Sequence, residues 1–210
     1  LETNIIKKDH RKVSAKVAIC YPGTYRVGMS CLAIHMIYGM LNSMNNVACE
    51  RAFLPSNPSA EVRTLESNMP LAKMDVVGFS LQYETDFINV LRMLINSNIP
   101  LRSKDRRERE PLIIAGGPCA TGNPEPLADF IDLFVVGDAE PALPELVDLT
   151  TKARRPRTHL EDFLDIEGLY IPSLNQDSAR RAWTKDLDAA FHPIREIVPH
   201  VTGKTELCPV

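Results

Sequence analysis

Long apolar runs are missing from this chain of 210 residues, and its opening residues, LETNIIKKDHRK, contain no signal-like apolar segment. A spanning helix needs about 20 consecutive apolar residues, so none is expected, and the cytoplasm is the expected location. Charge of one sign is missing too. The 24 Lys and Arg face 27 Asp and Glu, a formal net charge of −3, which leaves neither nucleic acid nor an acidic membrane surface as an expected partner. Cysteine is scarce and scattered: Cys20, Cys31, Cys49, Cys119 and Cys208 form no C-x-x-C pair and no trio close enough to hold an iron–sulfur cluster. Their apolar or small neighbours read as the surroundings of reduced, buried thiols. The five histidines are equally dispersed, and no metal ligand is expected. Cys119 follows a double glycine but has no base or cation beside it in sequence, so no residue is assigned a catalytic role.

What is present is concentrated in residues 111–140, PLIIAGGPCATGNPEPLADFIDLFVVGDAE. Two short apolar runs rich in β-branched residues, 112–115 and 133–136, stop at Gly116-Gly117 and at Gly137. A continuous apolar run of four or five residues fits a strand buried on both faces, as in a parallel sheet covered by helices. Glycine at such a strand end permits a tight turn and the close approach of a backbone or ligand. In open α/β sheets, ligands sit in the crevice outside the carboxyl ends of the strands, and a small ligand is expected there.

The rest of the chain alternates strand and helix. Residues 1–15 are polar and read as frayed. Residues 16–21 read as the first strand, 27–44 as a helix apolar almost all round, 47–53 as an edge strand, 62–66 as an extra strand and 75–81 as a third strand. The next helix is expected to bury Phe87, Ile88, Leu91, Leu94 and Ile95. The mixed-charge run 102–110 has three acids among five bases and no aromatic residue, and reads as a solvated loop. A last helix starts at Glu140-Pro141, with Asp138 and Glu140 as helix-start acids. Residues 152–159 form a basic linker. Beyond it, 168–172 and 180–184, with Asn175-Gln176-Asp177 between them, read as a small hairpin. The expected fold is therefore α/β, a three-layer, flavodoxin-like or Rossmann-like parallel sheet of five strands in the order 2-1-3-4-5, spanning 16–151, with a linker and β extension over 152–210. The absence of an initial Met and the Pro-containing final segment read as part of a longer chain.

Three elements carry a resemblance. They are the first loop Gly23-Thr24-Tyr25-Arg26-Val27-Gly28, the third strand end Ser80-Leu81-Gln82, and Gly116-Gly117 with the run Gly-Gly-Pro-x-x-x-x-Asn-Pro-Glu-Pro-Leu-Ala-Asp from Gly116 to Asp129. With Gly137-Asp138-x-Glu140, Tyr21–Ser30, Gly78–Glu84 and Gly168–Pro172, they resemble the N-terminal cobalamin (vitamin B-12)-binding-like domain of an uncharacterised radical S-adenosylmethionine (SAM) protein family. The resemblance implies a cofactor crevice formed by Tyr25, Gly28, Ser80, Gln82, Gly116, Gly117, Pro118 and Gly137, with cobalamin as its cofactor. It also implies a downstream radical SAM barrel of the same chain as partner, carrying the 4Fe-4S cluster and S-adenosylmethionine, since no Cys-x-x-x-Cys-x-x-Cys occurs here.

This sequence departs from the cobalamin pattern at the loop, where Tyr25 stands in place of the His that ligates cobalt from below and Gly23 in place of the Asp that orients that His. A tyrosine phenol, with a reference pKa near 10, is a poor ligand at neutral pH. His35, within an apolar helix, reads as a packed residue, while Tyr21 and Tyr25 are candidates to stack on a flat ring. Three readings stand side by side. The domain binds cobalamin without a His lower ligand, or it is a non-binding scaffold covering the barrel, or it is a flavin- or nucleotide-binding flavodoxin-like module. Against the last, the loop 22–27 is poor in phosphate-cradling donors.

Overall fold

The computed structural model describes residues 2–153, 157, 159–174, 179–195 and 197–199. Six strands form the main sheet: β1 (Ala15–Tyr21), β2 (Val47–Phe53), β3 (Val76–Ser80), β4 (Leu112–Gly116), β5 (Leu133–Val135) and β6 (Leu169–Tyr170). Their order is β2-β1-β3-β4-β5-β6. The first five are mutually parallel, and β6 closes the sheet antiparallel to β5, pairing Phe134 with Tyr170 and Val135 with Leu169. The α/β class and the 2-1-3-4-5 core of the sheet follow the expectation.

Among the described residues, five α-helices cover the two faces: α1 (Tyr25–Gly28), α2 (Leu32–Ser43), α3 (Asp86–Asn96), α4 (Pro118–Gly122) and α5 (Ala139–Lys152). Val17, Ile19 and Tyr21 of β1 pack with Ile34, Tyr38 and Leu41 of α2 and Leu143, Leu146 and Val147 of α5. Ala18 and Cys20 face the other way, toward Val90, Met93 and Leu94 of α3. A strand whose side chains alternate between two helical layers has no polar face, which is why these strands read as unbroken apolar runs.

The structure corrects several expectations. The apolar stretch 27–44 is two helices, with Cys31 extended between them (φ −87°, ψ 114°). Gly28 packs so tightly that an added Cβ would lie 2.3 Å from the Phe53 ring, and this contact fixes α1 before α2 turns away. The helix is not covered all round, since Leu32 is 64% exposed. Phe191 of the chain's own tail lies over Gly39. In α3 the buried stripe is Asp86, Val90, Met93 and Leu94, while Ile88 and Ile95 face solvent. The Asp86 carboxylate sets this rotation by accepting the backbone N–H groups of Gln82 and Tyr83, both at 3.1 Å.

The edge strand β2 is buried along its whole length. Thr64 bridges to Ala52, so residues 62–66 make an isolated contact rather than a further strand. Arg51 is fully buried between Glu66 (2.7 Å) and Glu2 (2.7 Å). Residues 2–14 line this edge instead of fraying: Tyr38 Oη both accepts from the Ile6 N–H and donates to its carbonyl, Lys8 Nζ donates to Met44 and Val47, and His10 pairs with Glu50. Glu2–Thr3 also pairs with Val198–Pro199. Charged and polar groups of the N-terminal segment thus close an edge that apolar alternation left open to solvent.

The run 102–110 is not wholly solvated. Arg106 is buried and pairs with the buried Asp132 at 2.9 Å. The hairpin is likewise replaced by another arrangement. Residues 169–170 add to β5 as β6, and Ala182 bridges in parallel to Gly137; Asn175-Gln176-Asp177 lie outside the described residues, as does Cys208. Phe163, Ile166, Leu169 and Ile171 enter the same core as α2 and α5, because an extension too short for its own core buries its apolar side chains on the larger one. Among the described residues, no helix is long and apolar enough to cross a membrane.

Candidate functional site

The carboxyl ends of β1, β3, β4 and β5 open into a crevice of about 330 Å³ between α2 and α5. Its floor is Ile19, Gly78, Ser80, Gly116 and Val135; one wall is Met36, Ile37 and Met40 of α2, and the other is Gly137, Ala139, Glu140 and Leu143 at the start of α5. The position follows from topology. The chain leaves β1 toward β2 on one side and returns through β3 on the other, and helices diverging from that switch point leave a gap above the strand ends. The volume lies at the low end of the range that holds drug-sized ligands.

The crevice is apolar with a polar corner. Gln82 Nε2 donates to Ser80 Oγ at 3.0 Å, and Glu140 lies across from them in the first turn of α5. Six of the residues expected at a cofactor site, Ser80, Gln82, Gly116, Gly117, Pro118 and Gly137, line this space. Their glycines differ in purpose. Gly117 (φ +104°) and Gly137 (φ +103°) hold left-handed backbone, and a Cβ would meet Leu81 O at 2.6 Å and Ala182 O at 2.2 Å. The turn itself therefore requires these two. Gly116 has no such constraint: a Cβ there would touch Val135 at an ordinary 3.4 Å. Its missing side chain leaves room over the crevice floor that the fold does not need.

Tyr25 and Gly28 stand apart from the crevice. Tyr25 Oη donates to Glu2 Oε1 at 2.7 Å and its ring meets Phe53 edge-on, with centroids 5.4 Å apart. Burial, and then the Glu2 hydrogen bond and charge, push the phenol's pKa well above its ordinary value. The phenol is occupied and protonated. With Gly23 adjacent, this loop supplies no cobalt ligand, so the residues present do not fit protein ligation of cobalamin from below. Tyr21 is buried against Gly23 and Gly28 rather than facing the crevice. His35 sits outside it with Nε2 2.9 Å from the Met29 carbonyl.

Cys119 lies in α4, and burial together with the charges of Glu84 and Asp86 raises its pKa, which disfavours the thiolate. Asp138 stands at the N-cap position of α5, but its carboxylate accepts the Thr184 N–H at 2.8 Å instead of capping the helix. Thr121 Oγ1 accepts the Gly137 N–H at 2.9 Å and fixes the end of β5. Met36, Ile37, Glu140 and Leu143 are among the crevice residues that sequence reasoning missed. The helix carrying Met36 and Ile37 was legible, but which of its apolar positions face the strand ends was not.

Among the described residues, no group of three or more His, Cys, Asp or Glu is placed to hold a metal ion. The described residues do not fit an iron–sulfur cluster.

No solved structure matches the chain. An uncharacterised protein of Methanocaldococcus jannaschii is 29% identical over 185 residues, which cover 87% of this chain and 35% of that protein. The chain thus spans about a third of the length of the curated relative it matches. The family model described as radical SAM proteins, N-terminal, matches residues 33–172, a span that runs from α2 through β6 and takes in all the residues that line the crevice except Ile19 and Leu32. The chain belongs to the family formed by the N-terminal domains of radical SAM proteins.

Proposed function

We propose that this chain is the cofactor-holding module of a longer radical SAM protein, and that its crevice takes the flat, apolar part of a corrinoid's nucleotide tail without contributing a ligand to cobalt. The observation that carries the reading is Gly116, a crevice-floor glycine that neither its backbone angles nor its packing demand. Met36, Ile37 and Leu143 would give the tail its apolar contacts, and Ser80 with Gln82 the polar edge. Chemistry at cobalt, when the group is bound, belongs to the corrinoid; this chain's part is to bind and orient it.

The test is a titration with hydroxocobalamin and methylcobalamin, followed by visible absorbance and calorimetry, on the chain and on Gly116→Leu. Gly117→Leu is unsuitable as a blocking variant, because it would break the turn. Binding lost in Gly116→Leu with the fold retained, and a spectrum without an imidazole from the protein, supports the proposal. No heat and no spectral change overturns it. The second reading, a scaffold that covers the catalytic barrel, draws on Leu32 at the crevice and Tyr83 beside Gln82, 64% and 63% exposed. A titration with flavin mononucleotide separates the flavodoxin-like alternative from both.

A further inference from the structure

A second cleft, of about 700 Å³, lies at the opposite end of the sheet, between Ser103, Glu125, Ala128, Arg157 and Tyr170. Residues 102–106 and 125–131 of its lining precede β4 and β5, Tyr170, Pro172 and Ser173 lie in or after antiparallel β6, and Arg157 and Leu160 come from the segment between α5 and β6, so it opens at the amino ends of β4 and β5. Doubly wound sheets bind their ligands at the other end. Nothing about the crevice explains this one.

Its inner wall is an Arg–Asp–Arg cluster. Arg106, with a fully buried side chain, donates from Nε to Pro100 O at 2.8 Å, from Nη2 to Leu101 O at 2.8 Å and to Phe130 O, and from Nη1 to Asp132 Oδ1 at 2.9 Å. The Asp132 carboxylate, also fully buried, accepts in addition from Ser103 Oγ and from the Ile113 N–H at 2.7 Å. Arg106 therefore uses the carboxylate that Arg157 also faces. Arg157 has only 8% of its side chain exposed; Nη1 lies against Asp132 Oδ2, Nη2 donates to Ser103 O at 3.0 Å, and Nε has no hydrogen-bond partner among the described residues. Two buried guanidinium groups share one carboxylate, and a buried cation without its own counter-charge is costly.

The surroundings do not cancel that charge. Arg102 and Asp129 pair with each other at the exposed rim (2.6 Å), and Glu125 accepts from Tyr170 Oη at 2.5 Å. Lys104 lines the cleft as well. With Asp132 behind the wall, four cations stand against three carboxylates. Burial is the main cause that lowers the pKa of Arg106; the Arg157 charge acts in the same direction and Asp132 opposes both.

We infer that this cleft binds a phosphate group, with Arg157 and Lys104 as its charged contacts and the remaining space taking the organic part of a phosphate monoester. A guanidinium with free N–H groups suits phosphate geometry, and a lysine adds a point charge.

The test is calorimetric titration of the chain with orthophosphate and with ribose 5-phosphate at constant ionic strength, since exposed charges are screened by salt. Both should bind. Tighter binding of ribose 5-phosphate supports a monoester as the occupant, and equal affinity supports the phosphate group alone. Arg157→Gln should weaken binding roughly tenfold or more and Lys104→Gln about threefold, while Lys185→Gln, which lines neither cleft, leaves it unchanged. Lys104 is exposed, so its variant remains informative if Arg157→Gln disturbs folding, which circular dichroism reads directly. No binding of either anion overturns the inference, as does affinity that Lys104→Gln leaves untouched.

Discussion

Gly116 and Gly117 stand side by side at the end of β4 and answer to different constraints. At Gly117 the backbone is left-handed and Leu81 O would lie 2.6 Å from a Cβ; at Gly116 the chain is ordinary strand and a Cβ would make an ordinary contact with Val135. Gly117→Ala is therefore expected to cost about 1–3 kcal/mol, whereas Gly116→Ala should change stability by less than about 1 kcal/mol. Urea denaturation of the two variants checks the contrast. Equal losses would mean that Gly116 is also a folding requirement, and would remove the observation on which the crevice proposal rests. The sequence displayed both glycines identically. Only the backbone angle separates them, and that angle is set by where α4 must go.

At the scale of an element, β2 shows how an edge strand can be buried and charged at once. Arg51 is fully buried, lies 5.0 Å above the Tyr38 ring and is held by Glu66 and Glu2. Burial acts to raise the pKa of Glu2, but hydrogen bonds from Arg51 and Tyr25 outweigh it and the net shift is downward. A carboxylate whose folded pKa is depressed contributes stability that is full above its unfolded pKa and is lost as pH falls through the folded value. The chain should thus lose this contribution below about pH 4.5, and Glu2→Gln should flatten that part of a Tm-versus-pH profile. Glu66 is shifted the other way by its burial, so its protonation favours the folded state and partly offsets the loss. Glu66→Ala leaves the Arg51 charge with one partner and is expected to cost about 3–5 kcal/mol at neutral pH, measured by thermal or urea unfolding. A loss under about 1 kcal/mol would place the stabilisation of this edge in the apolar packing around it.

At the scale of the molecule, the segment after α5 is part of the domain rather than an appendage. Phe163, Ile166, Leu169 and Ile171 are each at most 4% exposed, and burying four such side chains contributes roughly 6–12 kcal/mol. That is as large as the whole stability of a typical domain, about 5–15 kcal/mol. A chain truncated before Leu160 should therefore show no cooperative unfolding transition by circular dichroism. A cooperative melt near the parent Tm would establish that the residues before Leu160 fold alone.

The sequence by itself determined the α/β class, the order of the five parallel strands and the general place of the crevice. Apolar runs ending in glycine are local signals, and strand–helix alternation with right-handed crossovers leaves few topologies. It also placed Ser80, Gln82, Gly116, Gly117, Pro118 and Gly137 at that crevice. Tertiary structure alone decided that Tyr25 turns to Glu2, that α3 is rotated so that Asp86 is buried and Ile88 exposed, and that residues 169–170 pair with β5 instead of with 180–184. It also brought Arg106 and Arg157 onto Asp132, across 26 and 25 positions of sequence. Each of these depends on a partner distant in the chain. A charged residue in a polar run reads as solvated until the fold shows which carboxylate lies beneath it, because the cost of burial and the pairing that offsets it are both properties of the packed molecule.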